Sequence, residues 1–197
     1  MNIIKSLVFF ALISVTALAQ KSEWKFDNAH SQIQFAVTHM LISEVDGHFK
    51  NFDGTVKTNG NDFTDAEINF VIETKSIDTD NEKRDNHLRS DDFFNAEKFP
   101  EIIFKSKSLK KTGKNKYKLI GDFTIRDVTK EVALDVTHGG IIKDGYGNEK
   151  AGFKITGTIN RFDYNLKWNA LMEAGGAVVS EDVDIICNIQ LVRKAQS

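Results

Sequence analysis

NEKRDNHLRSDDFFNAEKFP, residues Asn81 to Pro100, interrupts a chain that otherwise alternates apolar and polar residues with period two. That alternation is the mark of half-buried β-strands, so the interruption divides an all-β body into two runs. Thr79-Asp80-Asn81-Glu82 fits a capping box, with Thr79 as the cap and Glu82 reaching back. From there to Arg89 the only large apolar side chain is Leu88, which predicts one short polar surface helix held by few contacts. Asp91-Asp92-Phe93-Phe94 follows, and Pro100 forces Phe99 into an extended conformation and opens the next strand. The stretch reads as a polar flap that lays Phe93, Phe94 and Phe99 over one end of the β body.

Before the flap, Ile33, Phe35 and Val37 share one face of a strand that ends near His39. A second strand spans His48 to Thr58, where Phe49 and Phe52 break strict alternation, and Asp46-Gly47 and Asp53-Gly54 suggest a turn and a bulge. A third places Ala66, Ile68, Phe70 and Ile72 on one side. After the flap, Ile102 and Phe104 mark strand four, and Gly113 to Asn115 a hairpin turn. Tyr117, Leu119, Gly121, Phe123 and Ile125 then share a face of strand five. Asp127-Val128-Thr129 leads to Val132, Leu134 and Val136, a strand ending near Gly139-Gly140, and Asp144-Gly145 turns the chain into Ala151, Phe153, Ile155 and Ile159. Val183, Ile185, Cys187, Ile189 and Leu191 form the last strand. Eight strands joined mostly by short turns predict an antiparallel up-and-down barrel, with a two-sheet sandwich as the competing architecture.

The chain opens with MNIIKSLVFFALISVTALAQ, one lysine before an apolar run and Ala17-Leu18-Ala19 at its end. This is the pattern of a cleaved secretory leader over residues 1–19. It leaves residues 20–197 as one domain, exported and without stable membrane insertion. There are 26 Lys and Arg against 28 Asp and Glu, a net charge of −2. That balance argues against nucleic acid as a partner. Cys187 is the single cysteine, so no intramolecular disulfide forms, and its parity with Ile185 and Ile189 predicts a buried, inert thiol. Oligomeric state is open at this level, a homodimer included.

Of the fifteen phenylalanines, all but Phe9 and Phe10 follow the leader, and Phe35, Phe70, Phe104, Phe123 and Phe153 fall on the apolar faces of five strands. An eight-stranded barrel either fills its interior with such rings or holds one small ligand among them. The connection from Arg161 to Gly176 carries Phe162, Tyr164, Leu166, Trp168, Leu171 and Met172 without strand pattern. It reads as a lid, or as a plug for the barrel end. Catalytic signatures are missing: there is no G-x-S-x-G, no H-E-x-x-H, no phosphate-cradling glycine loop and no C-x-x-C. His30, His39 and His48 are spaced nine apart and would have to converge to hold a metal. A structural role is the simpler reading, and no metal or cofactor is expected. Asp91, Asp92, Asp182 and Asp184 read as solvated or turn-forming.

In order, Trp24…Asp27…His30-Ser31, Phe35…His39-Met40 and Gly47-His48-Phe49…Phe52-Asp53-Gly54 resemble the opening of the YceI-like family. Ser76-Ile77-Asp78-Thr79, Asp85…His87-Leu88…Ser90-Asp91-Asp92-Phe93-Phe94 and Phe99-Pro100…Phe104 are similar to its central signature. Gly121-Asp122-Phe123-Thr124-Ile125…Val128-Thr129-Lys130, Gly152-Phe153 and Arg161-Phe162-Asp163-Tyr164 resemble its later blocks. The chain departs at Tyr164-Asn165, where an aromatic followed by Gly is expected. The resemblance implies an eight-stranded, lipocalin-like antiparallel barrel with one helical flap, exported to the periplasm. It implies a carrier of a polyisoprenoid or other long-chain amphiphilic lipid, some relatives being linked to stress responses.

On this reading Phe35, Val37, Phe49, Ile68, Phe70, Ile72, Phe104, Leu119, Phe123 and Phe153 face the ligand. Phe93, Phe94, Phe162, Trp168 and Met172 lie near the ends of the lumen, and His39 and Arg161 near a headgroup. The rival functions are an enzyme acting on an isoprenoid or quinone-like lipid, for which only His39 is placed to contribute, and a filled barrel that works by its surface.

Overall fold

A computed structural model describes residues 21–170 and 177–194; residues 1–19, expected to be a leader, and Leu171 and Met172 lie outside the described residues. In chain order the strands are β1 Ser22–Phe26, β2 Gln32–His39, β3 Ser43–Phe49, β4 Phe52–Thr58, β5 Glu67–Glu73 and β6 Ile77–Asp78. The helix α1, Glu82–Arg89, precedes β7 Glu101–Gly113, β8 Lys116–Ile125, β9 Val128–Lys143, β10 Glu149–Asn160 and β11 Val179–Arg193.

Neighbouring ladders are antiparallel and run β1-β4-β5-β7-β8-β9-β10-β11. The ring closes because β11 meets β1 through Phe26↔Leu191 and Lys25↔Val192. Towards the other end β11 pairs instead with β2, from Asn188↔Gln32 to Val179↔His39. Thus β1 and β2 are one long stave broken by a 3-10 turn at Asn28–His30. Likewise β3 and β4 are one stave broken at Lys50-Asn51, with β2 on β3 and β1 on β4. Counted as staves, the molecule is a closed eight-stranded antiparallel barrel with a single short helix among the described residues. The sandwich alternative is excluded by the closure.

Several local expectations change. The predicted second strand is interrupted, because the turn falls at Lys50-Asn51, whereas Gly47 and Gly54 sit inside β3 and β4 and serve close packing. The helix is capped by Asn81, whose side chain accepts from Arg84 N at 3.0 Å. Thr79 instead bonds Asp85, through its backbone N at 2.9 Å and its Oγ1 at 2.5 Å. Arg84 donates to Thr79 Oγ1 and O at 2.7 and 2.6 Å, and Arg89 to Lys75 O and Ile77 O at 2.9 and 2.7 Å. The helix is therefore fastened by a polar clamp around the buried Asp85 carboxylate, a device that apolar periodicity does not register.

The break in the β1–β2 stave is also built from charge. The Asp27 carboxylate accepts from Lys150 Nζ at 2.6 Å and Gln190 Nε2 at 2.9 Å, and pairs with His30 Nδ1 at 3.0 Å. Asn28 Nδ2 donates to Phe52 O at 2.9 Å. The kink is thereby tied to β4, β10 and β11 at once. At this end of the barrel the floor is aromatic: Phe63, from the β4–β5 loop, packs on Trp24 and Phe153 with ring centroids 5.4 and 4.9 Å away. His138 stacks on Phe153 at 4.7 Å.

Chiefly through its bond to Lys150, the Asp27 carboxyl is held well below the usual carboxylate range, against the opposing cost of burial. A folded-state pKa below the unfolded value of about 3.9 stabilises the fold above that pH, and this contribution is lost as pH falls towards the folded pKa. We expect Asp27→Asn to lower stability at neutral pH by about 1–3 kcal/mol and to flatten the acid limb of the stability profile, read by urea unfolding between neutral pH and pH about 3.

Candidate ligand cavity

The staves enclose a cavity of about 660 Å³. Phe35, Phe70, Phe104, Phe123 and Phe153 all line it, from five different staves. So do Val37, Phe49, Ile68, Ile72 and Leu119. An interior packed solid is ruled out by that volume, which is several times a void of about 150 Å³ that already admits benzene.

Five rings leave a lumen open because they lie against the wall. Phe35 is paired with Gly47 across β2 and β3, and a Cβ on Gly47 would come within 2.3 Å of the Phe35 ring. A Cβ on Gly121 would meet the Phe104 ring at 2.4 Å and Lys105 O at 2.5 Å. The side chain of Leu134 lies over Gly157 in the same way. Each glycine gives its neighbour's side chain somewhere to lie flat, so that bulk hugs the sheet and the axis stays empty.

The mouth is the end holding α1, the β8–β9 turn and the segment after β10. Phe93 and Phe94 reach the cavity, as do Leu88, Leu166 and Trp168. Phe99 does not; it lies beneath the Arg126 guanidinium, 5.3 Å from its ring centroid. Phe162 is also turned away from the cavity, its ring 4.5 Å from the Arg161 guanidinium. His39 lines the mouth end of the cavity, whereas His30 is engaged with Asp27 at the stave break. His48 pairs with Gln34 midway between them, so the three histidines are spread along one hairpin and do not converge.

Arg161 is 3% exposed. Its Nε donates to Ser180 O at 2.8 Å, Nη1 to Leu166 O at 2.5 Å and Trp168 O at 2.8 Å, and Nη2 to Val179 O at 3.4 Å. Four of its five N–H donors are thus directed at backbone carbonyls. Arg161, expected near a headgroup, lines the cavity and at the same time pins the connection between β10 and β11. Burial pulls its pKa down from the ordinary arginine value. At Asn165 the chain takes φ 62°, the left-handed conformation that ends the 3-10 turn Arg161–Tyr164; Asn tolerates it where Gly was expected.

Three features escaped sequence reasoning. Arg126 joins the flap to the later connection, with Nη1 donating to Phe93 O at 3.0 Å and Asn165 O at 3.1 Å. His87 lines the cavity, bonds Asp92 Oδ2 through Nε2 at 2.9 Å and meets the Trp168 ring edge-on at 5.1 Å. Phe63 forms the floor. Arg126 and Phe63 sit at φ 55° and 58°, a backbone state that no residue pattern announced; His87 meets Asp92 only because the chain folds back after α1 ends at Arg89. Cys187 faces the lumen, and burial pushes its thiol up to about 12, so it is protonated and unreactive at neutral pH.

The ionisable groups at the cavity wall are His39, Lys83, Arg84, His87 and Arg161, with no Asp or Glu among the described lining residues. Among those residues no group of His, Cys, Asp and Glu is arranged to hold a metal ion. A closed antiparallel barrel around an apolar lumen, capped by a short helix, is the architecture of proteins that take small molecules inside. The particular family follows from comparison. The YceI-like domain model matches residues 24–191, and the chain belongs to the YceI-like family.

A UPF0312 protein of Staphylococcus aureus (strain N315) is 39% identical over 163 residues, covering 82% of this chain and 92% of that protein. The crystal structure of Campylobacter jejuni YCEI protein is 31% identical with a TM-score of 0.69, covering 80% of this chain and 90% of that one. A polyisoprenoid binding domain from Saccharophagus degradans, at 15% identity and a TM-score of 0.64, covers 87% of this chain and 98% of that one. At that identity the likeness is one of fold.

We expect Gly121→Ala to drive the Phe104 ring off the wall, costing about 1–3 kcal/mol of stability and reducing the lumen's capacity for a bulky apolar fluorophore. Thermal unfolding and a fluorophore titration on the same sample check both effects.

Proposed function

We propose that this protein is an exported, non-catalytic carrier that holds a polyisoprenoid or related long-chain amphiphilic lipid in its lumen. The observation that carries the reading is the 660 Å³ cavity walled by aromatic and aliphatic side chains. It falls within the range of about 300–1,000 Å³ of ligand pockets. At about 30 Å³ for each water-sized group, it takes about twenty methylene equivalents, or about four isoprene units. A longer chain leaves its remainder at the mouth.

Burying a methylene contributes about 0.8 kcal/mol, so a filled lumen offers about 16 kcal/mol gross. That approaches the practical ceiling of about 18–21 kcal/mol for any ligand. Ordering a flexible chain and removing it from a membrane offset most of it, which leaves an affinity compatible with release. Selectivity then comes from the length and shape of the lumen. The fold shared with the Saccharophagus degradans polyisoprenoid binding domain supports this ligand class. The described lining residues include no carboxylate to partner a base inside the lumen, which supports carriage over turnover. The leader pattern at residues 1–19 supports export, with the periplasm as the destination.

The test is native mass spectrometry of protein purified from its own host, followed by solvent extraction of the bound mass. We expect a lipid adduct on the wild type and at least a tenfold lower occupancy on Phe70→Asp with the barrel's far-UV circular dichroism retained. Full occupancy in that folded variant would show that the lipid sits elsewhere.

A further inference from the structure

The β2–β3 hairpin ends in Met40-Leu41-Ile42, which are 44%, 72% and 87% exposed. Ile42 N donates to His39 O at 3.2 Å, and the two central residues of this turn, Met40 and Leu41, have φ of 50° and 62°. Positive φ at both central positions is the pattern of the mirror-image hairpin turn, which favours Asn-Gly and is strained for bulky side chains. The tip therefore combines an unfavourable backbone with three consecutive apolar side chains in water. Neither helps the barrel to fold.

Other strained non-glycine residues have a local reason. Phe63 is buried in the floor, and Arg126 bonds the flap and Asn165. Asp80, Asn95, Asn115 and Asn165 are of the types that tolerate the conformation. At the opposite end of the barrel, Ile142 and Tyr146 at the β9–β10 turn are also exposed, but without strain: in that turn only Gly147 takes positive φ, and Asp144 Oδ1 accepts from Tyr146 N and Asn148 N at 2.9 Å. Strain without local compensation marks a functional segment. Its position indicates which function: Val37, His39 and Val45 on the same hairpin line the mouth of the cavity, and Met40 N donates to Val178 O, beside the later connection, at 2.8 Å.

We infer that the Met40-Leu41-Ile42 tip inserts into the apolar interface of a lipid bilayer and seats the cavity mouth against it. The inference rests on the carrier reading, because a long-chain amphiphile resides in a membrane and must be taken from one. A bilayer is the occupant the chemistry favours. The tip is a short apolar projection continuous with the mouth, and the charged side chains of the described cavity lining there, Lys83 and Arg84, are basic, with the exposed Asp91 and Asp92 standing on the flap outside that lining. The ligand then passes between acyl chains and lumen without crossing bulk water.

The experiment compares the wild type with a Met40→Asn/Leu41→Gly/Ile42→Thr variant in flotation with phosphatidylcholine vesicles, with and without added phosphatidylglycerol. The variant relaxes the turn, so its melting temperature should equal or exceed that of the wild type. Its partition onto phosphatidylcholine vesicles should fall by about tenfold or more. N-phenylnaphthylamine binding to the lumen, measured without vesicles, should be unchanged. A wild type that stays in solution, or a variant that floats equally well, would overturn the inference. So would binding that needs phosphatidylglycerol and survives the substitution, or a tip that only mediates self-association in sedimentation. Loss of fluorophore binding by the wild type would instead strike the carrier reading, leaving vesicle docking to stand or fall separately.

Discussion

The close approach of side chain to backbone at inward-facing glycines is the constraint on which the rest of the structure depends. A closed ring of eight staves has an interior that ordinary side chains can fill. Here the staves carry rings enough to do so, yet Phe35 lies over Gly47 and Phe104 over Gly121, with no room for a Cβ beneath either. The rings spend their bulk along the wall. What remains on the axis is a greasy space bounded by carbon, and everything proposed about cargo follows from its existence.

Around that space the two ends are built differently. The floor is closed by apolar contact, Phe63 against Trp24 and Phe153. The mouth is framed by hydrogen bonds: Asp85 with Thr79, Arg126 with Phe93 O, and Arg161 with four carbonyls of the later connection and β11. Such a frame holds shape while presenting an apolar rim of Phe93, Phe94 and Trp168. A carrier needs that division, with one end sealed and the other positioned without being packed shut.

Much of the barrel was legible because alternation has a fixed period in strands. Parity alone put Ile68, Phe70 and Ile72, and later Leu119 and Phe123, on one face, and all five line the cavity. Parity could not locate the breaks in the staves, since Asp27 and Lys150 are distant in sequence and meet only after closure. Glycines in β3 and β4 looked like turn formers because their partners, rings on neighbouring strands, are invisible locally. The same limit applies to Arg161: it lines the cavity, but its hydrogen-bond partners are carbonyls that only the folded connection and β11 bring within reach. Phe162 went the same way, drawn onto that guanidinium and away from the lumen.

The central claim is that the rings enclose a lumen rather than meeting across it. A crystal structure of the protein purified from its own host tests this most directly. The account predicts continuous elongated density along the axis, bounded by Phe35, Phe70, Phe123 and Phe153. Rings in mutual contact across that axis, with no density and no space between them, would contradict it.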